Sequence, residues 1–339
     1  MAGAVPRPFS SQAASCSAEV RSAQWPSRDG SMSLYALIKR NGPSGFGYGS
    51  TAADVTAGLD LGGKTILVTG CSSGLGFETM RVLALRGATV IGTARTEAKA
   101  RAAAAAVGGR VSAIACDLSE PSSVRGAVAA VKAGGAPLAA VICNAGVMGL
   151  PRLTLIHGLE GHFFTNHIGH FMLVTGLLDQ LAADGRVVMV SSAAHRWAQP
   201  GGIDFDNLSG AKCYRPSRAY GQSKFANLVF AKELAHRLAG TGRVANAIHP
   251  GIVMETNVTR HMTNPLLEVA RVVGGWLAFK TIPQGAATQS YVAVHPDVAR
   301  LSGCYFADCN LANPRPDAED PSICPRLWAM SEAIVAGLD

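Results

Sequence analysis

The sequence has no apolar run near the roughly 20 residues that a membrane helix needs. Its nearest approach, residues 265–282 (PLLEVARVVGGWLAFKTI), is broken by Glu268, Arg271 and Lys280, which excludes a spanning segment. No run of five or more lysines and arginines occurs. The net charge of +7 therefore comes from scattered cations, which argues against nucleic acid as a partner and leaves a mildly basic surface that suits an anionic cofactor. No Cys-x-x-Cys pair exists among the eight cysteines (16, 71, 116, 143, 213, 304, 309 and 324). Most sit singly in apolar surroundings, as in AIACDL and VICNAG. Cys304 and Cys309 lack the neighbours of a zinc site, so reduced, buried thiols in a cytosol-like compartment are expected. Charged residues make up only 16% against 48% hydrophobic. That is too few charges for a chain disordered over most of its length, and enough apolar material for a sizeable core. No internal repeat shows.

Organisation follows from composition shifts. Residues 1–31 are rich in Ser, Ala and Arg, poor in acids and without hydrophobic period. They read as a disordered extension, either a transit peptide or a translated region upstream of Met32. The expected location is cytoplasmic, with organelle targeting through residues 1–31 as the alternative. Residues 41–50 (NGPSGFGYGS) form a glycine-rich link. The expected domains are an extension over 1–60 and one globular domain over 61–339.

Within that domain, apolar runs alternate with helical patterns. Strands are expected at 64–70, 88–95, 110–118, 138–146, 185–194, 243–251 and 301–307. Helices are expected after Gly74 and at 96–107, 121–135, 158–182 and 217–239. The strands are continuous apolar runs, as strands buried on both faces of a parallel sheet are. Alternating βαβ units then imply α/β architecture: a single doubly wound parallel sheet (Rossmann fold) with helices on both faces.

The first strand ends in TGCSSGLG (69–76). Gly70, Gly74 and Gly76 let the backbone approach a pyrophosphate, while the helix N-terminus presents free N–H groups. Ser72 and Ser73 can add hydroxyl donors. The second strand ends in Gly92-Thr93-Ala94-Arg95, with no acid before Glu97. An arginine there suits a ribose 2′-phosphate and points to NADP. Asp117, after the third strand, can accept from an adenine amino group or cap the next helix. Asn144-Ala145-Gly146 ends the fourth strand, where ligands sit in such sheets.

YGQSK (220–224) places Tyr220 and Lys224 one helical turn apart, on one face. A lysine cation beside a phenol favours the phenolate, and a tyrosine tuned this way can pass a proton near neutral pH; on spacing alone the pair is equally readable as accidental. Three histidines, His162, His167 and His170, cluster nearby. Residue 167 faces away from the other two, and no metal is expected. His195 and His249 flank the motifs and could line the site, with buried structural side chains the stronger expectation.

Taken in order, TGCSSGLG, CDL, CNAG, TNHIGHF, VVMVSSAAH, YGQSK and HPG resemble the short-chain dehydrogenase/reductase family over about residues 61–310. FTNHIGHFMLV, SSAAHR, YGQSKFANLVFAKEL and the long stretch from Ser192 to Tyr220 resemble the retinol dehydrogenase-like branch, which shares features with light-dependent protochlorophyllide reductases. The resemblance implies a tetrad: Tyr220 as acid/base, Lys224 beside it and on the nicotinamide ribose, Ser192 on the substrate oxygen, and Asn166 holding a relay water. It extends the NADP(H) contacts to Leu75, Leu118, Asn144, Ala145, Gly146, Pro250, Gly251, Ile252 and Thr256. The family threonine stands five past the proline, whereas Thr256 is six past Pro250. Either the loop has an extra residue or Thr256 is not the contact.

The implied reaction interconverts an alcohol and a carbonyl with NADP(H). Residues 262–282 fall where the family places its substrate lid (near 255–282). Leu266, Leu267, Val272, Val273, Trp276, Leu277 and Phe279 give that segment an apolar face, matching a lipophilic substrate or simple packing. Rival readings are C=C reduction of the protochlorophyllide reductase type and a non-catalytic NADP-binding regulator. A homodimer or homotetramer through the helices near 158–182 and 217–239 is expected from the resemblance.

Overall fold

The run Thr65-Ile66-Leu67-Val68 is buried at every position and forms β1 (Thr65–Val68) at the middle of the sheet. A computed structural model describes residues 35, 39–253 and 279–338. Around β1 stand β2 (Thr89–Ala94), β3 (Val111–Ala115), β4 (Leu138–Cys143), β7 (Leu181–Val190), β8 (Val244–His249), β9 (Tyr305–Ala307) and β10 (Asn310–Leu311), in the order β10-β9-β8-β7-β4-β1-β2-β3. All neighbours are parallel except β9 and β10. A two-stranded hairpin, β5 (Leu155–Ile156) with β6 (Leu159–Glu160), lies apart from this sheet.

Alternate residues of each central strand serve opposite cores. Leu67, Val141, Val187 and Met189 face one; Ile66, Val68, Ile142, Val188 and Val190 face the other. The first core is covered by α4 (Pro121–Ala133), α6 (Gly169–Gly176), α7 (Pro216–Arg237) and α10 (Ile323–Ala336). The second is covered by α2 (Gly74–Leu85) and α9 (Ala287–Val294), with α3 (Glu97–Val107) beside them. This is the doubly wound parallel sheet that the continuous apolar runs predict. Local signals set the helix starts: Pro121 and Pro216 open α4 and α7, where the missing N–H costs nothing, and the Thr96 hydroxyl accepts from Lys99 N–H to cap α3.

Two stretches differ from expectation, and two further helices stand where none was expected. The single helix expected over 158–182 is the end of the hairpin, then α5 (Gly161–Phe163), a π-helical turn (Phe164–Ile168) and α6, with β7 already starting at Leu181. Residues 39–60, assigned to the extension, lie against the domain. Here α1 (Ala52–Val55) is closed by a Thr51–Asp54 capping box, and Arg86 Nη2 donates to Ala53 C=O at 2.9 Å. A short α8 (Ile282–Gly285) follows residues 254–278, which lie outside the described residues together with most of the expected lid. Finally, α10 packs across α6 and α7. Trp328 stacks on Phe230 (5.6 Å between centroids) and meets Phe171 edge-on (5.0 Å).

His167 and His170, both 0% exposed, sit under this cover. Burial, first among the causes, lowers them from an ordinary 6.5 to about 3 and about 4. The unfolded chain therefore binds more protons than the folded one below about pH 6.5. Stability is full above that value and falls with acidification by about 1.4 kcal/mol per pH unit for each histidine. The urea midpoint is expected to drop between about pH 6.5 and about pH 4. A midpoint that stays level there would contradict neutral buried rings.

Candidate active site

The C-terminal ends of β1, β4, β7 and β8 converge at the point where the chain order reverses across β1 and β4, which is where open α/β sheets bind ligands. After β1, Gly70 takes φ +74°, and a Cβ there would stand 2.9 Å from Ala145. At Gly76 a Cβ would stand 2.4 Å from Gly70 O and 2.5 Å from Asn144 Nδ2. Only glycine allows the loop, the start of α2 and the end of β4 to approach this closely. Asn144 Nδ2 donates to Thr69 C=O at 2.8 Å and fastens the two strand ends. Ser72 is exposed, and Ser73, Gly74 and Leu75 are half-buried. Arg95 is exposed at the end of β2. The Asp117 carboxylate accepts from Ser119 N–H (3.0 Å) and Ser119 O–H (2.6 Å), so it closes a turn next to buried Leu118. Pro250 and Gly251 are half-buried after β8, and Ile252 is 57% exposed. Thr256 lies outside the described residues.

α7 carries Tyr220 and Lys224, 8% and 4% exposed. Ser192, two residues past the end of β7, accepts from Ala194 N–H at 3.2 Å, and its hydroxyl lies near enough to the Tyr220 phenol to draw its pKa downward. Ser191, its neighbour, instead donates to Lys224 C=O at 2.7 Å and faces inward. Lys224 Nζ stands 5.8 Å from the Tyr220 ring centre and donates to Val190 C=O at 3.0 Å. Asn166, 0% exposed in the π-helical turn, accepts from Val147 N–H at 2.8 Å and donates to Val147 C=O at 3.0 Å and to Ser223 Oγ at 3.0 Å. A Cβ at Gly146 would lie 3.1 Å from Asn166 Oδ1 and 3.4 Å from Lys224 Nζ. Asn166, Ser192, Tyr220, Lys224 and Gly146 thus come together from four elements.

The electrostatics differ from the spacing argument. Burial pushes the Tyr220 phenol up to about 12, partly offset by the nearby Ser192 hydroxyl. Burial also draws the Lys224 ammonium down to about 8. Four-residue spacing alone does not lower this phenol, because desolvation outweighs it.

His195 Nδ1 donates to Ser192 C=O at 2.6 Å, and its Nε2 accepts from Arg315 N–H at 3.1 Å. His249 Nδ1 accepts from Ala193 N–H at 3.2 Å. Two structural histidines therefore hold the C=O and the N–H of the one peptide that joins Ser192 to Ala193. His162, His167 and His170 each have separate partners, and among the described residues no cluster of metal-ligating side chains occurs.

The sequence reading missed a second tier of residues. Thr69 Oγ1 accepts from Ala145 N–H (2.9 Å) and bonds His170 Nε2 (3.0 Å), whose Nδ1 donates to Asn166 C=O (2.9 Å). Asn166 and His170 are four apart in NHIGH, which was a usable signal. Ser223 joins Asn166 to Tyr220 C=O (2.8 Å). Gln289 reaches Asn144 Oδ1 at 3.2 Å from 145 residues away, and no local pattern marks it.

Residues 64–205 match the family described as short chain dehydrogenase. Over 322 residues the chain is 38% identical to the short-chain dehydrogenase TIC 32 A, chloroplastic, of Brassica napus, covering 91% of this chain and 100% of that one. The chain belongs to the short-chain dehydrogenase/reductase family. Retinol dehydrogenase 14 of Homo sapiens is 38% identical over 295 residues, covering 80% and 86% of the two chains, in keeping with the retinol dehydrogenase-like branch. Among solved structures, an uncharacterized protein from Mycobacterium Paratuberculosis shares the fold with a TM-score of 0.67 and 33% identity, covering 83% and 97%. A short chain dehydrogenase from Burkholderia cenocepacia, in complex with NADP, gives 0.58 and 25%, covering 73% and 96%. This short-chain dehydrogenase/reductase is an oxidoreductase with a nicotinamide-cofactor fold. Among the described residues no helix is long and apolar enough to cross a membrane.

Proposed function

We propose that this short-chain dehydrogenase/reductase interconverts an alcohol and a carbonyl with NADP(H), with Tyr220 as acid/base. The observation that carries the proposal is the gathering of Asn166, Ser192, Tyr220 and Lys224 at one place, with Lys224 Nζ 5.8 Å from the Tyr220 ring centre and Tyr220, Lys224 and Asn166 all buried. The close approach of Gly70 and Gly76 fits a pyrophosphate over the N-terminus of α2. Arg95, exposed at the end of β2, fits a 2′-phosphate. When bound, NADP(H) supplies or accepts the hydride. Tyr220 gives its proton to the carbonyl oxygen as negative charge develops there, and Ser192 donates a hydrogen bond to the same oxygen. Lys224 holds the ribose hydroxyls and, near neutral pH, its positive charge favours the phenolate that remains. Asn166 holds Val147 and Ser223 and so keeps the proton path in register. Leu75, Asp117, Leu118, Asn144, Ala145, Gly146, Pro250, Gly251 and Ile252 complete the cofactor cradle. A lipophilic substrate is favoured by the apolar composition of residues 262–282.

The test is consumption of NADPH and NADH against aldehydes and ketones from small to retinoid-sized. Turnover is expected with NADPH and large apolar carbonyls. Arg95→Ala is expected to lower kcat/KM for NADPH by about tenfold to a hundredfold, as loss of a charged hydrogen bond does, with NADH little changed. Equal loss with both cofactors would remove the 2′-phosphate assignment.

A further inference from the structure

Residues 147–150 (VMGL) follow shortly after β4 and are half-exposed, yet both ends are fastened by side chains. At the first end, Asn166 takes both backbone groups of Val147. At the other, two different side chains do the same for Leu150. Its N–H donates to His162 Nε2 at 3.2 Å, and its C=O accepts from Tyr214 O–H at 2.7 Å. A backbone N–H can only donate, so His162 Nε2 is unprotonated and the ring proton sits on Nδ1. That proton is given to Glu160 Oε1 at 2.7 Å. The other Glu160 oxygen accepts from Phe163 N–H at 2.9 Å. The His162 and Glu160 side chains are 0% and 3% exposed, so this carboxylate locks the tautomer away from water.

Tyr214 is held as a donor. Burial, then the Glu160 charge, raises it to about 12. It belongs to the long stretch 193–219, which also gives Leu208 C=O to Glu160 N–H at 2.9 Å. The His162 ring meets the Tyr220 ring edge-on, with centroids 5.9 Å apart. The clamp is therefore built against the proposed acid/base, and none of its three side chains takes part in the proposed chemistry.

We propose that His162 and Tyr214 are positioning residues that clamp Leu150, so that the 193–219 stretch fixes residues 147–150 as the wall of the substrate site beside Tyr220. This rests on the proposed function for the role of Tyr220 alone. Losing either hydrogen bond frees one end of the wall while the glycine loop and Arg95 keep their places. Substrate fit changes and cofactor binding does not.

The test compares His162→Leu, His162→Gln and Tyr214→Phe in the full chain. Amide hydrogen exchange is read over residues 147–152, beside KM and kcat for the largest carbonyl turned over and NADPH affinity by fluorescence. His162→Leu and Tyr214→Phe are expected to speed exchange and raise KM by about tenfold each, the equivalent of one hydrogen bond, with kcat and NADPH affinity nearly unchanged. His162→Gln can accept from Leu150 and donate to Glu160, and is expected to restore both. Unchanged exchange in the first two variants overturns the proposal. So does a parallel loss of NADPH affinity, which would show general loosening. If His162→Leu does not fold, Tyr214→Phe, the loss of one hydroxyl, decides. A wild-type protein that turns over no carbonyl sinks the proposed function, and the exchange data then decide the clamp separately.

Discussion

Tyr220→Phe is expected to lower kcat by about 10²- to 10⁴-fold, the usual worth of a positioned proton donor, with NADPH affinity nearly unchanged. The substitution removes one oxygen from a ring that is 8% exposed, so packing is kept. It also takes the phenol oxygen away from the neighbouring Ser192 hydroxyl. Ser192 can still polarise a carbonyl, which is why residual turnover is expected rather than none. Steady-state kinetics with a fluorescence titration of NADPH separates the two effects. If kcat survives, the acid/base assignment is wrong. If NADPH binding collapses with it, the residue is structural. Because burial places the phenol at about 12 and the lysine at about 8, the proton donor and the nearby cation titrate in different ranges. Activity that requires the Lys224 charge is expected to decline as pH rises through about 8.

The second large effect concerns stability. Trp328 is 5% exposed, with Phe230 on one face, Phe171 at its edge and the Arg237 guanidinium carbon 4.0 Å from the ring centre. Truncating a buried tryptophan to alanine costs about 3–5 kcal/mol. Its indole N–H is buried without a hydrogen-bond partner, so deletion also removes an unsatisfied donor, whose usual cost is about 1–3 kcal/mol. The net expectation for Trp328→Ala is therefore near the lower end, about 3 kcal/mol, or a Tm lower by roughly 6–12 °C. Trp197, 53% exposed, supplies the control. Trp197→Ala is expected to stay within about 0.5 kcal/mol. Equal losses in the two variants, read by urea denaturation, would mean that α10 is not part of the cooperative core.

What was legible in the sequence follows from where burial is symmetric. Strands covered on both faces must be apolar at consecutive positions, so β1, β2, β4 and β8 show in the chain as runs. The glycine loop was legible because close backbone approach leaves no alternative residue at Gly70 and Gly76. The break in the 158–182 helix was not. A π-helical turn changes hydrogen-bond register without changing composition, and the residues around Asn166 keep a helical pattern. α10 left a signal that went unused: Ile323, Leu327, Trp328 and Ser331 are its buried positions, at helical spacing. The tyrosine pKa was not readable, because desolvation depends on elements far apart in the chain. The Leu150 clamp is tertiary in the same sense: Tyr214 lies 64 residues from the carbonyl it holds.

The order β3-β2-β1-β4-β7-β8 also has a consequence in time. Neighbouring parallel strands are never adjacent through a tight turn, so each pairing closes a long loop before it returns any stabilisation. The proposed site is the extreme case, since it gathers the ends of β1, β4, β7 and β8 with the first half of α7. Its geometry exists only when the slowest of these pairings is complete. Recovery of turnover after dilution from denaturant is thus a clock for the whole central sheet, and it runs behind any signal from helix formation alone.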